Sequence, residues 1–359
     1  MQNPTAFLPF PTETMNRLIL PLLAAVALVA AGCGGASDSS SGGSSSSSSS
    51  SGSKKLALVA YSTPQVVYDG VIPAFEKTPA GKGVSFTQSY GASGDQSRAV
   101  EGGLAADVVT FSLAPDVDRL VKSGQVAADW ADTPTQGNVS RSVVALIVRK
   151  GNPKNIHTWD DLLKPGVKVL TPNPFTSGAA KWNILAAYGA KSGGGESPAA
   201  GLSYLHELIT KHVKVQDKSG REALQDFTSG NGDVLISYEN EALTAQKKGQ
   251  DVDYVIPDRT IEIENPIAVL SKTKQPAAAK AFVQYALSKP AQEQFAEWGY
   301  RPVNKDVLAA NAKKFPTPSG LFTVKDLGGW SKLNDDLFDP DKGKVAAIEE
   351  DAGVSTAKK

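Results

Sequence analysis

The chain has 359 residues, 41% of them hydrophobic, with 33 Gly and 22 Pro, enough to bury a substantial core and to make roughly two domains. Lys plus Arg and Asp plus Glu both number 37, and the stretch before Cys33 holds one of each, so the balance offers no electrostatic footprint for nucleic acid or an anionic membrane surface. A single Cys and three scattered His (His157, His206, His212) exclude a four-ligand zinc site and a disulfide framework, and no metal or cofactor is expected.

In chain order, Met15-Asn16-Arg17 precedes an apolar run over 18–31 and then Gly32-Cys33, the charged start, hydrophobic core and small residues of a secretory signal over 1–32. Met15 is the expected true start. The run is too short for a spanning helix. Leu28-Val29-Ala30-Ala31-Gly32-Cys33 looks like a bacterial lipobox, so Cys33 is expected to be the lipidated residue of the mature protein. The Ser/Gly stretch that follows, to residue 53, buries nothing and reads as a flexible tether.

From Lys54 onward, short apolar runs alternate with helical patterns: 56–61 then 64–76, 84–90 then 95–102, 107–111 then 115–123. Strand followed by helix, repeated, means an α/β fold with a mainly parallel sheet. The β-branched run 143–149 ends in Lys150-Gly151-Asn152-Pro153, and a second α/β series opens at Thr158-Trp159-Asp160-Asp161, a helix-cap pattern. That series holds a strand at 167–170, helices at 179–188 and 202–211, and strands at 234–238 and 253–256. A returning strand at 266–270, helices at 276–287 and 290–298 and a polar tail complete the pattern. The expected layout is one lobe from 54–142 plus 267–345, a second from 143–266, and a tail over 346–359, with a cleft between the lobes.

Four connections share one design, in which a strand ends, a loop rich in Ser, Thr and Gly follows, and a helix begins. They are Ser62-Thr63-Pro64, Gly91-Ala92-Ser93-Gly94, Thr176-Ser177-Gly178-Ala179 and Ser219-Gly220-Arg221. The first N–H groups of a helix have no internal partner, and its dipole adds partial positive charge there, so such a turn favours an anion. Each loop alone is more simply an ordinary N-cap. Four of them in a two-lobed frame, at the carboxyl ends of strands, point to a ligand.

These residues carry a resemblance. Val59-Ala60-Tyr61-Ser62-Thr63-Pro64, the run from Ser89 to Val100, and the run from Val148 to Ile156 resemble the sulfate-binding proteins of ABC importers. So do Trp159-Asp160-Asp161-Leu162-Leu163-Lys164-Pro165-Gly166-Val167, Thr171-Pro172-Asn173-Pro174, Ser177-Gly178-Ala179-Ala180-Lys181-Trp182-Asn183, and the run from Gly232 to Ala242. The match extends from about Leu56 to Trp330.

What the resemblance implies is a two-lobed type II periplasmic-binding fold, each lobe a mainly parallel sheet flanked by helices. The lobes would close on a dehydrated sulfate held by backbone N–H groups and neutral side chains. Carried over by position, Ser62 and Ser93 would donate from the first lobe; Ser177 through its hydroxyl, and Gly178 and Ala179 through their backbone, would donate from the second. Tyr238 falls where the family usually has Trp, and its phenol can accept as well as donate. The backbone of Gly220 or Arg221 would complete the site, although the family usually has Gly-Ala-Arg-Gly there. The implied role is an extracytoplasmic, lipid-anchored monomer that hands sulfate to a membrane permease, at the outer face of the cytoplasmic membrane or in the periplasm. Closure would pivot on the crossings at 143–149 and 266–270.

Selectivity has its own argument. Sulfate carries no proton at neutral pH and only accepts hydrogen bonds, whereas phosphate keeps at least one proton and needs an acceptor. At the loop tips the only carboxylates are Asp95 and Glu222, both in first helical turns. Within the binding class the rivals are thiosulfate, molybdate, tungstate or an organic sulfonate, and a structural lipoprotein would bind no anion. An enzyme is the distant alternative: Ser271-Lys272-Thr273-Lys274 matches Ser-x-x-Lys, without the Ser-Asp-Asn or Lys-Thr-Gly companions of serine acyl-enzymes.

Overall fold

The computed structural model describes residues 54–356; Cys33, the leader and the tether lie outside the described residues. The first half of the chain alternates β1 (Lys54–Tyr61), α1 (Gln65–Glu76), β2 (Val84–Gly91), α2 (Ser93–Glu101), β3 (Val108–Thr110) and α3 (Ala114–Lys122) before the long β4 (Asn138–Arg149). The second series is β5 (Val169–Pro172), α4 (Gly178–Lys191), α5 (Pro198–Glu207), β6 (Val213–Asp217), α6 (Gly220–Thr228), β7 (Val234–Tyr238), α7 (Glu239–Lys247) and β8 (Val252–Val255). The long β9 (Arg259–Val269) leads back to α8 (Pro276–Ala286) and α9 (Lys289–Glu297). The chain closes with β10 (Arg301–Pro302), α10 (Lys305–Ala310), β11 (Gly320–Phe322), α11 (Gly329–Leu333) and α12 (Lys344–Asp351).

Two parallel trios form the lobes. In the first, β2, β1 and β3 run parallel and β9 borders β3 antiparallel. In the second, β6, β5 and β7 run parallel and β4 borders β7 antiparallel. The two long strands join the lobes. β4 pairs with β9 as far as Val143 and with β7 from Val144 onward, while β9 changes partner from β4 to β3 between Pro266 and Ile267.

Strand periodicity explains where the cores lie. Leu56, Leu58 and Ala60 on β1 join one apolar cluster with α1, α8 and α9, and Val59 joins another with α2 and α3, because successive side chains of a strand face opposite ways. β4 divides likewise, Val144, Leu146 and Val148 going to one cluster and Ile147 to the other. Among the described residues no helix is long and apolar enough to cross a membrane.

Three differences from the sequence reading have physical causes. Val213–Asp217, given no range in the sequence reading although a strand was expected to end before Ser219, is the edge strand β6, whose half-buried residues show weak alternation. The segment after Tyr238 is the helix α7, where Glu239, Asn240 and Glu241 are buried with no apolar stripe to announce them. The end of the chain, assigned to the first lobe and a polar tail, instead packs on the second. Phe322, Leu333, Leu337, Val345 and Ile348 all enter the second lobe's core.

Candidate functional site

Six strand-to-helix turns meet at the carboxyl ends of the two parallel trios. In the first lobe they are Ser62-Thr63-Pro64, Ala92 before α2, and Phe111-Ser112-Leu113 before α3; in the second they are the 173–177 loop, Ser219 before α6, and Tyr238 directly before α7. Hydrogen bonds close the lobes on each other here. The Gly94 N–H donates to the Thr176 carbonyl at 3.1 Å, and the Tyr238 and Ser112 hydroxyls are 2.7 Å apart. Trp182 Nε1 donates to the Ser112 carbonyl at 2.8 Å and Arg221 Nη2 to the Thr63 carbonyl at 2.7 Å.

The second lobe supplies the most open donors. Ser177 is the N-cap of α4 yet its hydroxyl makes no capping bond and is buried. No carbonyl or side chain among the described residues accepts from the main-chain N–H of Gly178 or Ala179. Gly178 also approaches the first lobe closely, since a Cβ at that position would stand 2.8 Å from Ser112 and Leu113. At α6, the Ser219 side chain caps its helix by accepting from the Glu222 N–H at 3.2 Å. No described residue accepts from the main-chain N–H groups of Gly220 and Arg221. Gly220 lies against both Ala179 and Thr63, a Cβ there standing 3.3 and 3.6 Å from their side chains. The Arg221 guanidinium turns away to the buried Glu241 at 2.8 Å.

In the first lobe, Ser62 is half-buried at the end of β1. Ser93 is fully enclosed, and its hydroxyl is committed: it donates to Asp116 at 2.5 Å and accepts from the Ser112 N–H at 2.9 Å. What Ser93 retains for a ligand is its main-chain N–H at the start of α2. Burial pushes the Asp116 carboxyl above its usual range, while Ser93 and the cations Lys181, Arg119 and Arg98 oppose the rise. Burial lowers Lys181 to about 8 despite Asp116, with Arg119 and Arg98 adding to the fall. Tyr238 is completely buried, and desolvation raises its phenol well above the ordinary value, so it stays protonated.

Two central residues escaped the sequence reading. Ser112 occupies the same strand–turn–helix position as Ser62, but its loop, Phe111-Ser112-Leu113-Ala114, holds one hydroxyl among apolar residues and no Gly. Asp116 lies inside α3 and not at a loop tip, and only its partner Ser93 reveals it. Ser271 and Lys274 are exposed in a turn after β9. His157 and His206 are exposed and His212 half-buried, none near these turns.

A family model described as bacterial extracellular solute-binding protein matches residues 56–301. A sulfate-binding protein of Synechococcus elongatus is 41% identical over 297 residues, which cover 79% of this chain and 83% of that protein. A thiosulfate-binding protein of Pseudomonas aeruginosa is 36% identical over 300 residues, covering 80% of this chain and 90% of that one. Among solved structures, the sulfate-binding protein SubI from Mycobacterium tuberculosis H37Rv superposes with a TM-score of 0.77 at 48% identity, over 79% of this chain and 98% of its own.

Proposed function

This chain belongs to the bacterial extracellular solute-binding proteins, and from that membership and its cleft we propose that it captures sulfate between its lobes and delivers it to an ABC permease. The observation that carries the reading is the set of unpaired main-chain N–H groups at Ser93, Gly178, Ala179, Gly220 and Arg221, joined by the uncommitted hydroxyl of Ser177. The buried carboxylates near them each have a side-chain partner, Asp116 in Ser93, Glu239 in Arg301 and Glu241, through one oxygen, in Arg221. A pocket of oriented donors suits an oxyanion that brings no proton.

Each mismatch between a buried donor or acceptor and its ligand costs about 1–3 kcal/mol, one or two decades in affinity. Calorimetry at neutral pH with sulfate, thiosulfate, molybdate, selenate and phosphate tests the assignment. Sulfate is expected to bind and phosphate to bind at least about tenfold more weakly. Thiosulfate is also a proton-free dianion, and a thiosulfate preference would move the assignment to that ligand. Ser177→Ala should weaken sulfate by about 1–3 kcal/mol; phosphate binding as tight as sulfate would overturn the donor-only site.

Cys33 is the proposed lipid anchor, supported by the apolar run and small residues before it and the serine tether after it. Cys33→Ala should move the protein from the membrane fraction to the soluble fraction. Retention in the membrane would point to an uncleaved leader instead.

A further inference from the structure

We propose that the C-terminal segment is a strap that positions the donor loop 173–178 through Asn173, and thereby sets how long the bound anion stays. The inference rests on the sulfate reading above for its functional consequence and on the geometry alone for its structural part. Residues 346–359 look in sequence like a polar tail, yet α12 buries Val345, Ala346, Ile348 and Glu349 against the second lobe. Gln216 on β6 donates to Glu349 at 2.6 Å. Glu349 also lines a small cavity together with the neutral Thr171 and Asn183.

Beyond α12 the chain turns at Gly353, in the left-handed region at φ 75°, and runs to the donor loop. Asn173 is buried, and its two amide arms face opposite ways. Nδ2 donates to the Ser355 carbonyl at 3.0 Å. Oδ1 accepts from the Phe175 N–H at 2.7 Å, and the Asn173 carbonyl accepts from the Ser177 N–H at 2.9 Å. One residue thus ties the strap to the backbone turn that aims Ser177 and the first N–H groups of α4. Phe338, Pro340 and Thr356 from the same C-terminal stretch line a cavity of about 220 Å³ together with Ser177 and Gly178.

Removing the strap end leaves a buried amide N–H without an acceptor and gives the loop freedom that it must lose again on each binding event. The bound state then pays an ordering cost, and the effect of such a change on affinity falls mostly on the dissociation rate. Asn173 is a positioning residue here, since it acts on the ligand through Ser177.

The test compares the mature chain, the chain ending at Ala352, Asn173→Ala, and both changes together. In stopped-flow release of sulfate, truncation should speed dissociation at least fivefold with little change in the melting temperature of the sulfate-free protein, because α12 remains. Asn173→Ala should speed dissociation at least as much, with a lower melting temperature because the buried Phe175 N–H also loses its acceptor. The two changes together should exceed the larger single effect on release by less than twofold, as expected for groups that act as one unit. A lowered melting temperature with unchanged release would mean a purely structural role and overturn the proposal, as would full additivity of the two changes. Amide hydrogen exchange in the sulfate-free protein reads the strap independently: truncation should accelerate exchange across 173–178. Unaltered exchange there overturns the strap even if the wild-type chain proves not to bind sulfate, a result that would by itself refute only the sulfate assignment.

Discussion

Gly178→Ala is expected to weaken sulfate binding by about 1–3 kcal/mol, roughly five- to 150-fold, the range for overpacking a filled contact. The added Cβ would stand 2.8 Å from Leu113 Cδ2, Ser112 Cβ and Ser112 Oγ. Leu113 can swing its methyl aside. Ser112 cannot, because its N–H is held by Ser93, its carbonyl by Trp182 and Asn265, and its hydroxyl by Tyr238. Gly178 lies within α4, where alanine is a favoured residue, so the clash arises only when the lobes meet. Calorimetry with sulfate, together with small-angle scattering with and without it, should show lower affinity and a radius that contracts less. Wild-type affinity in this variant would mean that the lobes do not need to approach this closely to hold the anion.

Arg221→Met is expected to cost about 3–5 kcal/mol of stability, the range for breaking a buried ion pair by removing one partner. Glu241 is fully buried, Arg221 Nη2 reaches its Oε1 at 2.8 Å, and Glu241 Oε2 has no hydrogen-bond partner among the described residues. Burial already raises the Glu241 carboxyl above its ordinary value, with Arg221 and then Lys248 opposing. Without the guanidinium that rise grows. An acid whose folded value is raised holds its proton longer folded than unfolded, so the variant loses stability as pH climbs from the ordinary glutamate range toward the raised folded value. Thermal melts should therefore show a larger deficit at pH 8 than at pH 5, and Glu241→Gln in the same chain should restore much of it. Equal deficits at both values would mean that the loss comes from the missing Arg221–Thr63 bond and packing, not from a stranded charge.

Much of the candidate site was legible because its proposed donors are local. Ser177, Gly178 and Ala179 are consecutive, and a strand, a small-residue turn and a helix start can be read from spacing alone. The same holds for Ser93 in Gly91-Ala92-Ser93-Gly94, whose hydroxyl is held by Asp116 and the Ser112 N–H. Asp116 and Glu241 were not legible, since each matters only through a residue more than a loop away: Ser93 for one, Arg221 for the other. A buried polar helix face such as that of α7 has no apolar period to mark it.

By itself the sequence determined the α/β alternation, a strand at 143–149, a returning strand at 266–270 and the anion-favouring turns, because these follow from side-chain period, turn chemistry and unpaired helix N–H groups within a few residues. That the two strands extend back to Asn138 and Arg259 came only with the structure. Tertiary structure alone decided which hydroxyls remain available, how near Gly178 comes to Ser112, and where the C-terminal helix docks. Those are properties of pairs distant in the chain, and their energies depend on burial and on which partner arrives first, neither of which any local stretch of residues encodes.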